Sequence, residues 1–123
     1  MITGTVTAER EAVINLQVCD TSGQQYSIEA VIDTGFTGAL TLPSSLITTL
    51  GLAFRCRQQI LLGDGSLALA DVYVGTVIWE GRPRIAEIDS ADTDPLLGMS
   101  LLYGSELRVQ VVDGGSVTIE ALP

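Results

Sequence analysis

The stretch Ala30-Val31-Ile32-Asp33-Thr34-Gly35 places a carboxylate directly after three apolar residues. Such a carboxylate is costly to desolvate unless it has hydrogen-bond partners or a chemical role. The small Thr34 and the side-chain-free Gly35 let other backbone approach the acid closely. The same pattern also describes an ordinary turn, in which Asp33 bonds nearby backbone and the glycine takes a positive φ. The triplet Asp33-Thr34-Gly35 therefore has two interpretations, a catalytic acid and a turn.

The composition of the chain restricts its chemistry. The 123 residues include 15 acidic and 6 basic residues, all of the latter Arg, for a formal net charge of −9. Because proteins bind phosphate backbones mainly through Lys and Arg, this balance argues against a nucleic-acid partner. The absence of His and Lys excludes Ser-His and Cys-His nucleophile pairs and Schiff-base lysines. Acid-base chemistry must therefore rest mainly on carboxylates, the two cysteines or the three tyrosines.

The two cysteines and the lengths of the apolar runs indicate the cellular compartment that we expect for this protein. Cys19 and Cys56 match no metal spacing, and two reduced thiols of a cytosolic protein are favoured over a structural disulfide. Residues 1–6 lack the basic start and long apolar stretch of a signal peptide, and no apolar run is long enough for a membrane span. We expect one domain over residues 1–123 of a soluble, cytoplasmic protein with no membrane partner.

The pattern of alternating residues and glycine turns predicts short strands. They are expected at 13–18, 26–32, 36–42, 60–62, 67–79, 85–88, 107–111 and 116–120. Residues 43–51 are typical of a short helix that Gly51 ends, and 96–104 of a strand end followed by a helical turn. The acidic stretch 89–94 is expected to be a solvated loop. The pattern as a whole predicts an all-β, closed, barrel-like domain with one or two short helices.

Three landmarks occur in a fixed order: Val31-Ile32-Asp33-Thr34-Gly35-Phe36-Thr37-Gly38, a glycine-turn hairpin around Asp64, and Pro95-Leu96-Leu97-Gly98-Met99. This order resembles the retropepsin-like aspartic proteases of clan AA, above all their small bacterial single-domain members. In that family a hydrophobic-hydrophobic-Asp-Thr-Gly segment, a flap hairpin and a later hydrophobic-hydrophobic-Gly segment recur. The resemblance, which spans about residues 13 to 119, implies the retropepsin (acid protease) fold.

The resemblance also implies roles for the triplet. Asp33 would be the catalytic carboxylate, and Thr34 would hydrogen-bond across to a partner subunit beneath the paired acids. Gly35 would allow backbone to approach the carboxylate. The chain departs from retroviral members at Thr37, where those enzymes usually have an acidic residue, and in its helix at 43–51. These departures leave substrate specificity open.

Further roles follow from the other two landmarks. Gly63-Asp64-Gly65 would be the flap tip that covers substrate, and an ordinary exposed hairpin turn is the alternative. Leu96-Leu97-Gly98 would pack beneath the active-site loop as structural support. Tyr73 and Trp79 are interpreted as core or sheet-face aromatics rather than substrate contacts.

Aspartic proteolysis needs two carboxylates that share a proton, one acting as base toward water and one as acid toward the scissile carbonyl. Two bare charges about 3 Å apart would repel by roughly 5 kcal/mol at an effective dielectric near 20. This chain has one suitable triplet and is too short for two lobes, so the second Asp33 must come from another copy. Water is the nucleophile, so no cofactor and no metal are required.

We therefore expect a homodimeric aspartic endopeptidase that acts on a peptide or protein substrate. Strand-like residues 3–6 and 117–122 are expected to help build the dimer interface. One alternative is a non-catalytic peptide-binding or dimerisation module with the same fold, since fold does not determine function. Another is an unrelated all-β binding domain in which the triplet is accidental.

Overall fold

Ten strands form one sheet in the computed structural model, which describes residues 1–61 and 64–123. The strand order is β5-β6-β7-β4-β8-β3-β2-β1-β10-β9, and β6 also pairs with β2. This extra pairing joins six strands, β2, β3, β8, β4, β7 and β6, in a ring. The elements are β1 (Ile2–Val6), β2 (Ala12–Cys19), β3 (Gln25–Ile32), β4 (Leu40–Leu42), α1 (Ser44–Leu50), β5 (Ala53–Leu61), β6 (Leu67–Trp79), β7 (Arg82–Ser90), β8 (Leu96–Leu97), α2 (Met99–Leu102), β9 (Ser105–Val109) and β10 (Ser116–Ala121). The predicted all-β class with short helices is confirmed.

The core lies inside this sheet because every second residue of the strands is apolar. In β2, Ile14, Leu16 and Val18 are buried, while Asn15 between them is exposed. Since successive strand side chains point to opposite faces, this alternation puts one whole face in the core. β2 and β3 pair in antiparallel register, with Leu16 opposite Ile28, and form the hairpin that ends at the triplet.

Helix α1 forms where the sequence predicts it. Pro43 precedes its first turn, and Ile47 and Leu50 are its buried residues. Gly51 ends the helix in the left-handed region at φ 68° and donates its N–H to Thr48 O at 3.1 Å. A glycine takes this conformation without the steric cost of a Cβ.

The structure corrects several predicted boundaries, including three next to the triplet, in the hairpin and in β7. Residues 36–39 form a loop, and only Leu40–Leu42 is a strand. The backbone carbonyls of this loop accept hydrogen bonds from the segment after β8 and not from a neighbouring strand. β5 starts at Ala53, far before the predicted 60–62, of which Leu62 lies outside the described residues. Asp89 belongs to β7 and not to a solvated loop.

Both terminal strands lie inside the sheet. β1 lies between β2 and β10, and β10 lies between β1 and β9. Ile2 and Thr3 have no partner in β2, and Glu120 and Ala121 have none in β1. The expected pairing of a terminal strand across a dimer interface stays a prediction. In the part of the chain that is described, β9 pairs with β10 alone and keeps its other edge free.

Two smaller features complete the description. Cys19 is partly buried, Cys56 is exposed, and both are free thiols. Across residues 1–61 and 64–123, none of the helices has the length and apolar character needed to cross a membrane.

Candidate active site

Asp33 lies at the carboxyl end of β3, in a loop that its own groups help to shape. Its side-chain Oδ1 accepts a hydrogen bond from the Gly35 N–H at 2.9 Å. Its backbone carbonyl accepts one from the Phe36 N–H at 3.1 Å. The turn that the sequence allows is thus present, and it holds the partly buried carboxylate in one position. Thr34 is exposed, and its hydroxyl makes no hydrogen bond with any described residue.

Strand β8 lies beneath the loop that contains Asp33 and holds it in position. It is inserted between β3 and β4, parallel to β3 with Ile32 opposite Leu97 and antiparallel to β4 with Leu40 opposite Leu97. Leu97 is fully buried, and its carbonyl accepts the Asp33 N–H at 2.9 Å. Leu96-Leu97-Gly98 therefore contacts the loop through its backbone, and its role as structural support stays a prediction.

The segment after β8 closes against the loop at a glycine. Gly98 N donates to Ala39 O at 2.9 Å, and Met99 N donates to Phe36 O at 2.8 Å. A Cβ on Gly98 would lie 2.2 Å from Gly38 O, which is inside any permitted contact distance. Only glycine allows these two backbones to approach so closely, so the residue has a structural reason independent of catalysis.

The hairpin of β5 and β6 carries the predicted flap tip. Asp64 and Gly65 lie in its turn, while Gly63 lies outside the described residues. Asp64 Oδ1 accepts hydrogen bonds from the Ser66 hydroxyl at 2.6 Å and the Ser66 N–H at 2.9 Å, and Gly65 has φ 84°. The Ser66 hydroxyl, and next its N–H, lower the pKa of the Asp64 carboxyl below its ordinary value. The role of this turn as a substrate flap stays a prediction.

A cleft of about 820 Å³ lies between the active-site loop and this hairpin. Loop residues 35–39 form one wall and hairpin residues 58–61 the facing wall. Strand β7 supplies the third wall through Arg84, Ile85, Glu87 and Asp89. Tyr73 and Trp79 do not line the cleft; Trp79 is buried, and Tyr73 packs edge-on against Phe54 with ring centroids 5.7 Å apart.

Strand β7 is the part of the site that sequence reasoning missed. Ending the predicted strand at Ile88 put Asp89 in a loop, although the alternation of β7 continues through it. The residues Ile85, Glu87 and Asp89 share one face because side chains alternate along a strand. The alternation of side chains with a period of two was the signal in the sequence. Extending the predicted strand by one residue would have put Asp89 on the same face as Ile85 and Glu87, beside the cleft.

The charges of the β7 wall differ in their partners. Glu87 forms an ion pair with Arg55 of β5. Arg84 donates to Leu101 O at 3.0 Å and to Ser100 O at 3.1 Å. Asp89 has no such partner among the described residues, and burial, followed by the charge of Glu87, raises the pKa of its carboxyl.

The chain is similar to a retropepsin-like aspartic protease from Rickettsia conorii, whose crystal structure matches with a TM-score of 0.60 over 99% of this chain and 91% of that chain. The chain has the retropepsin-like fold. Sequence identity in this match is 16%, so the likeness concerns the fold. No family model and no curated protein matches the sequence.

The retropepsin-like fold decides between the sequence-based alternatives for architecture. The match excludes an unrelated all-β fold, whereas it does not test the role of the triplet. The alternatives for activity are not separated by the fold, since the same architecture can carry different functions. They differ in what Asp33, Thr34 and Gly35 do.

Proposed function

We propose that the chain is a homodimeric aspartic endopeptidase whose catalytic residue is Asp33. The observation that carries this proposal is the position of Asp33 in a retropepsin-like fold. The acid ends β3, is held through its N–H by Leu97 O, and belongs to a loop that forms a wall of the cleft. If Asp33 only formed a turn, nothing would require β8 to be inserted beneath its carboxylate.

The second carboxylate would come from a partner copy. The chain carries the Asp-Thr-Gly triplet once, and a shared-proton pair needs two acids. The free edge of β9 supports a two-fold interface, because β9 directly follows α2, and α2 contacts the active-site loop through Ser100 N–H and Gly38 O at 3.1 Å. Helix α2 thereby connects the start of β9 with the loop. Thr34, exposed and without a partner inside the described chain, is available to bond across such an interface.

The proposed reaction uses one proton shared by the pair. The ionised Asp33 takes a proton from water while the water oxygen bonds to the scissile carbonyl carbon. The protonated Asp33 of the partner subunit gives its proton to the carbonyl oxygen. When the tetrahedral intermediate collapses, the C–N bond breaks and the amine leaves with a proton from the pair. The exposed hairpin residues Leu61 and Leu67 would cover an extended peptide in the cleft.

The test replaces Asp33 with Asn, which keeps the shape of the side chain but cannot exchange this proton. We expect hydrolysis of an unbiased peptide library to fall by at least about 10² to 10⁴ in Asp33→Asn, with thermal stability close to wild type. Activity is expected on the acidic side of neutral, where one acid of a coupled pair holds a proton. Asp94→Asn, an exposed change of the same charge, is the control.

The outcomes separate the proposal from its rival. Equal cleavage by wild type and Asp33→Asn would contradict the catalytic assignment. If neither protein cleaves any peptide but both bind peptides in the cleft, the chain is a non-catalytic peptide-binding module.

A further inference from the structure

The cleft contains one carboxylate whose charge no described residue balances. Of its three charged lining residues, Glu87 is paired with Arg55, and the guanidinium of Arg84 is used by two carbonyls of α2. Asp89 remains, without a hydrogen bond or an ion pair from its side chain to any residue in 1–61 or 64–123. This residue is the strongest candidate for contact with a ligand.

The surroundings of Asp89 explain why its charge is costly. It lies opposite Val72 of β6 and opposite Thr41 of β4 in the sheet. Val72 is fully buried and Thr41 nearly so, and the Thr41 hydroxyl is engaged in accepting the Leu96 N–H at 2.9 Å. Directly paired residues project to the same face, so the carboxylate has an apolar neighbour and a committed hydroxyl beside it. A cation entering from the cleft would compensate this lost hydration.

The active-site loop passes close to this carboxylate. A Cβ built on Gly38 would lie 3.4 Å from Asp89 Oδ2. The loop residues Phe36, Thr37, Gly38 and Ala39 carry no charge of their own. Asp89 is therefore the acidic group that the neighbouring strand presents next to the loop.

We propose that Asp89 determines substrate specificity by binding the cationic side chain of an Arg or Lys residue of the peptide in the cleft. This proposal deepens the proposed function and rests on it, because it assigns a side-chain preference to the same cleft. Arg fits the carboxylate particularly well, since its planar guanidinium can donate two parallel hydrogen bonds.

The cleavage test compares Arg with citrulline, which has nearly the same shape and no charge. Peptide pools carry one or the other at a single fixed position, scanned along both sides of the scissile bond. At one position we expect wild type to cleave the Arg pool about 10- to 100-fold faster. Asp89→Asn is expected to lose this preference, whereas Asp94→Asn, with the same change of net charge outside the cleft, keeps it.

A binding measurement decides the matter without turnover. The same pools are made with a reduced, non-cleavable central bond, and their dissociation constants are measured by fluorescence anisotropy. The proposal requires tighter binding of the Arg pool at one position in wild type and equal binding of both pools in Asp89→Asn. It is overturned if no position favours Arg, or if the preference survives in Asp89→Asn. If cleavage fails but this preference is present, the proposed activity is wrong and the specificity stands.

Discussion

The stability of the ligand-free protein depends on pH through the carboxyl group of Asp89. Its carboxyl has a pKa above the ordinary value of 3.8, first because burial disfavours the charged form and second because Glu87 repels it. In the unfolded chain neither cause acts. The folded state therefore holds a proton on Asp89 at pH values where the unfolded chain has released it. As pH rises through this window the folded state loses stability relative to the unfolded state.

Removing this charge is expected to stabilise the protein. Asp89→Asn keeps the size of the side chain and should raise Tm at pH 7, where wild type bears the full cost of the charged form. At pH 3, below both pKa values, the acid is neutral in both states and the gain should shrink. Thermal unfolding of both proteins at the two pH values checks this. A gain of the same size at both would show that the charge is not responsible.

Asp33 and Asp89 show which candidate site residues a sequence can reveal. Asp33 stands out as a candidate because it follows an apolar run and precedes Thr34 and Gly35, although the same pattern also describes a turn. Asp89 follows the predicted strand 85–88, and the acidic residues after it, Asp92 and Asp94, suggest a solvated loop. Its importance arises from Val72 and Thr41, which are distant in sequence and become neighbours only through the sheet.

Helix α2 supports the loop, although it is too short to be stable alone. Its four residues cannot compensate the cost of helix nucleation, so contacts from other elements must hold it. Arg84 of β7 provides them, with hydrogen bonds to Ser100 O and Leu101 O and a guanidinium 5.8 Å from the centre of the Trp79 ring. The strand thereby connects the cleft wall to the segment beneath the loop.

Replacement of Arg84 tests this connection. Arg84→Met keeps an apolar stem next to Trp79 and removes the donors, so we expect a loss of about 1–3 kcal/mol in the free energy of unfolding. Peptide hydrolysis is expected to fall as well, because Ser100 positions Gly38. Arg82→Met, in the same strand at an exposed position, is the matched control. Urea unfolding that gives the two variants equal stability would show that the Arg84 bonds contribute nothing.

The elements also differ in how well sequence predicts them. β2 and β3 could be predicted because one face of each strand lies in the core, so that apolar and polar residues alternate along their sequences. β5 could not be predicted before residue 60, because all of its residues are exposed and no face imposes alternation. Its strand structure comes from pairing with β6, which places Ala53 opposite Val74 and Leu61 opposite Leu67.

At the scale of the whole molecule, the free edge of β9 suggests how two copies would meet. Gln110 N donates to Ser116 O, and in an antiparallel ladder such pairs alternate. The N–H and C=O groups of Leu107 therefore point away from β10, toward a partner strand. A two-fold axis at Leu107 would place Glu106 opposite Arg108 of the partner subunit. An axis at Glu106 or Arg108 would instead bring like charges together.

Charge reversal distinguishes this dimer register. Glu106→Arg puts two cations opposite each other twice per dimer and is expected to raise the dimer dissociation constant about tenfold. The double variant Glu106→Arg with Arg108→Glu restores opposite charges and should recover the wild-type constant. Sedimentation equilibrium at low salt measures it. If the double variant is no better than the single one, β9 does not pair with its own copy in this register.

The insertion of β8 between β3 and β4 has a consequence for the order in which the molecule forms. Asp33 is positioned by Leu97, far along the chain, and parallel pairing of this kind must overcome the entropy of closing the whole intervening segment. A nascent chain that has emerged only as far as β7 contains the triplet, the hairpin and the cleft wall, yet nothing beneath the acid. Under the proposed function, the site is incomplete until β8 has been synthesised, so the growing chain is spared from its own chemistry before that point.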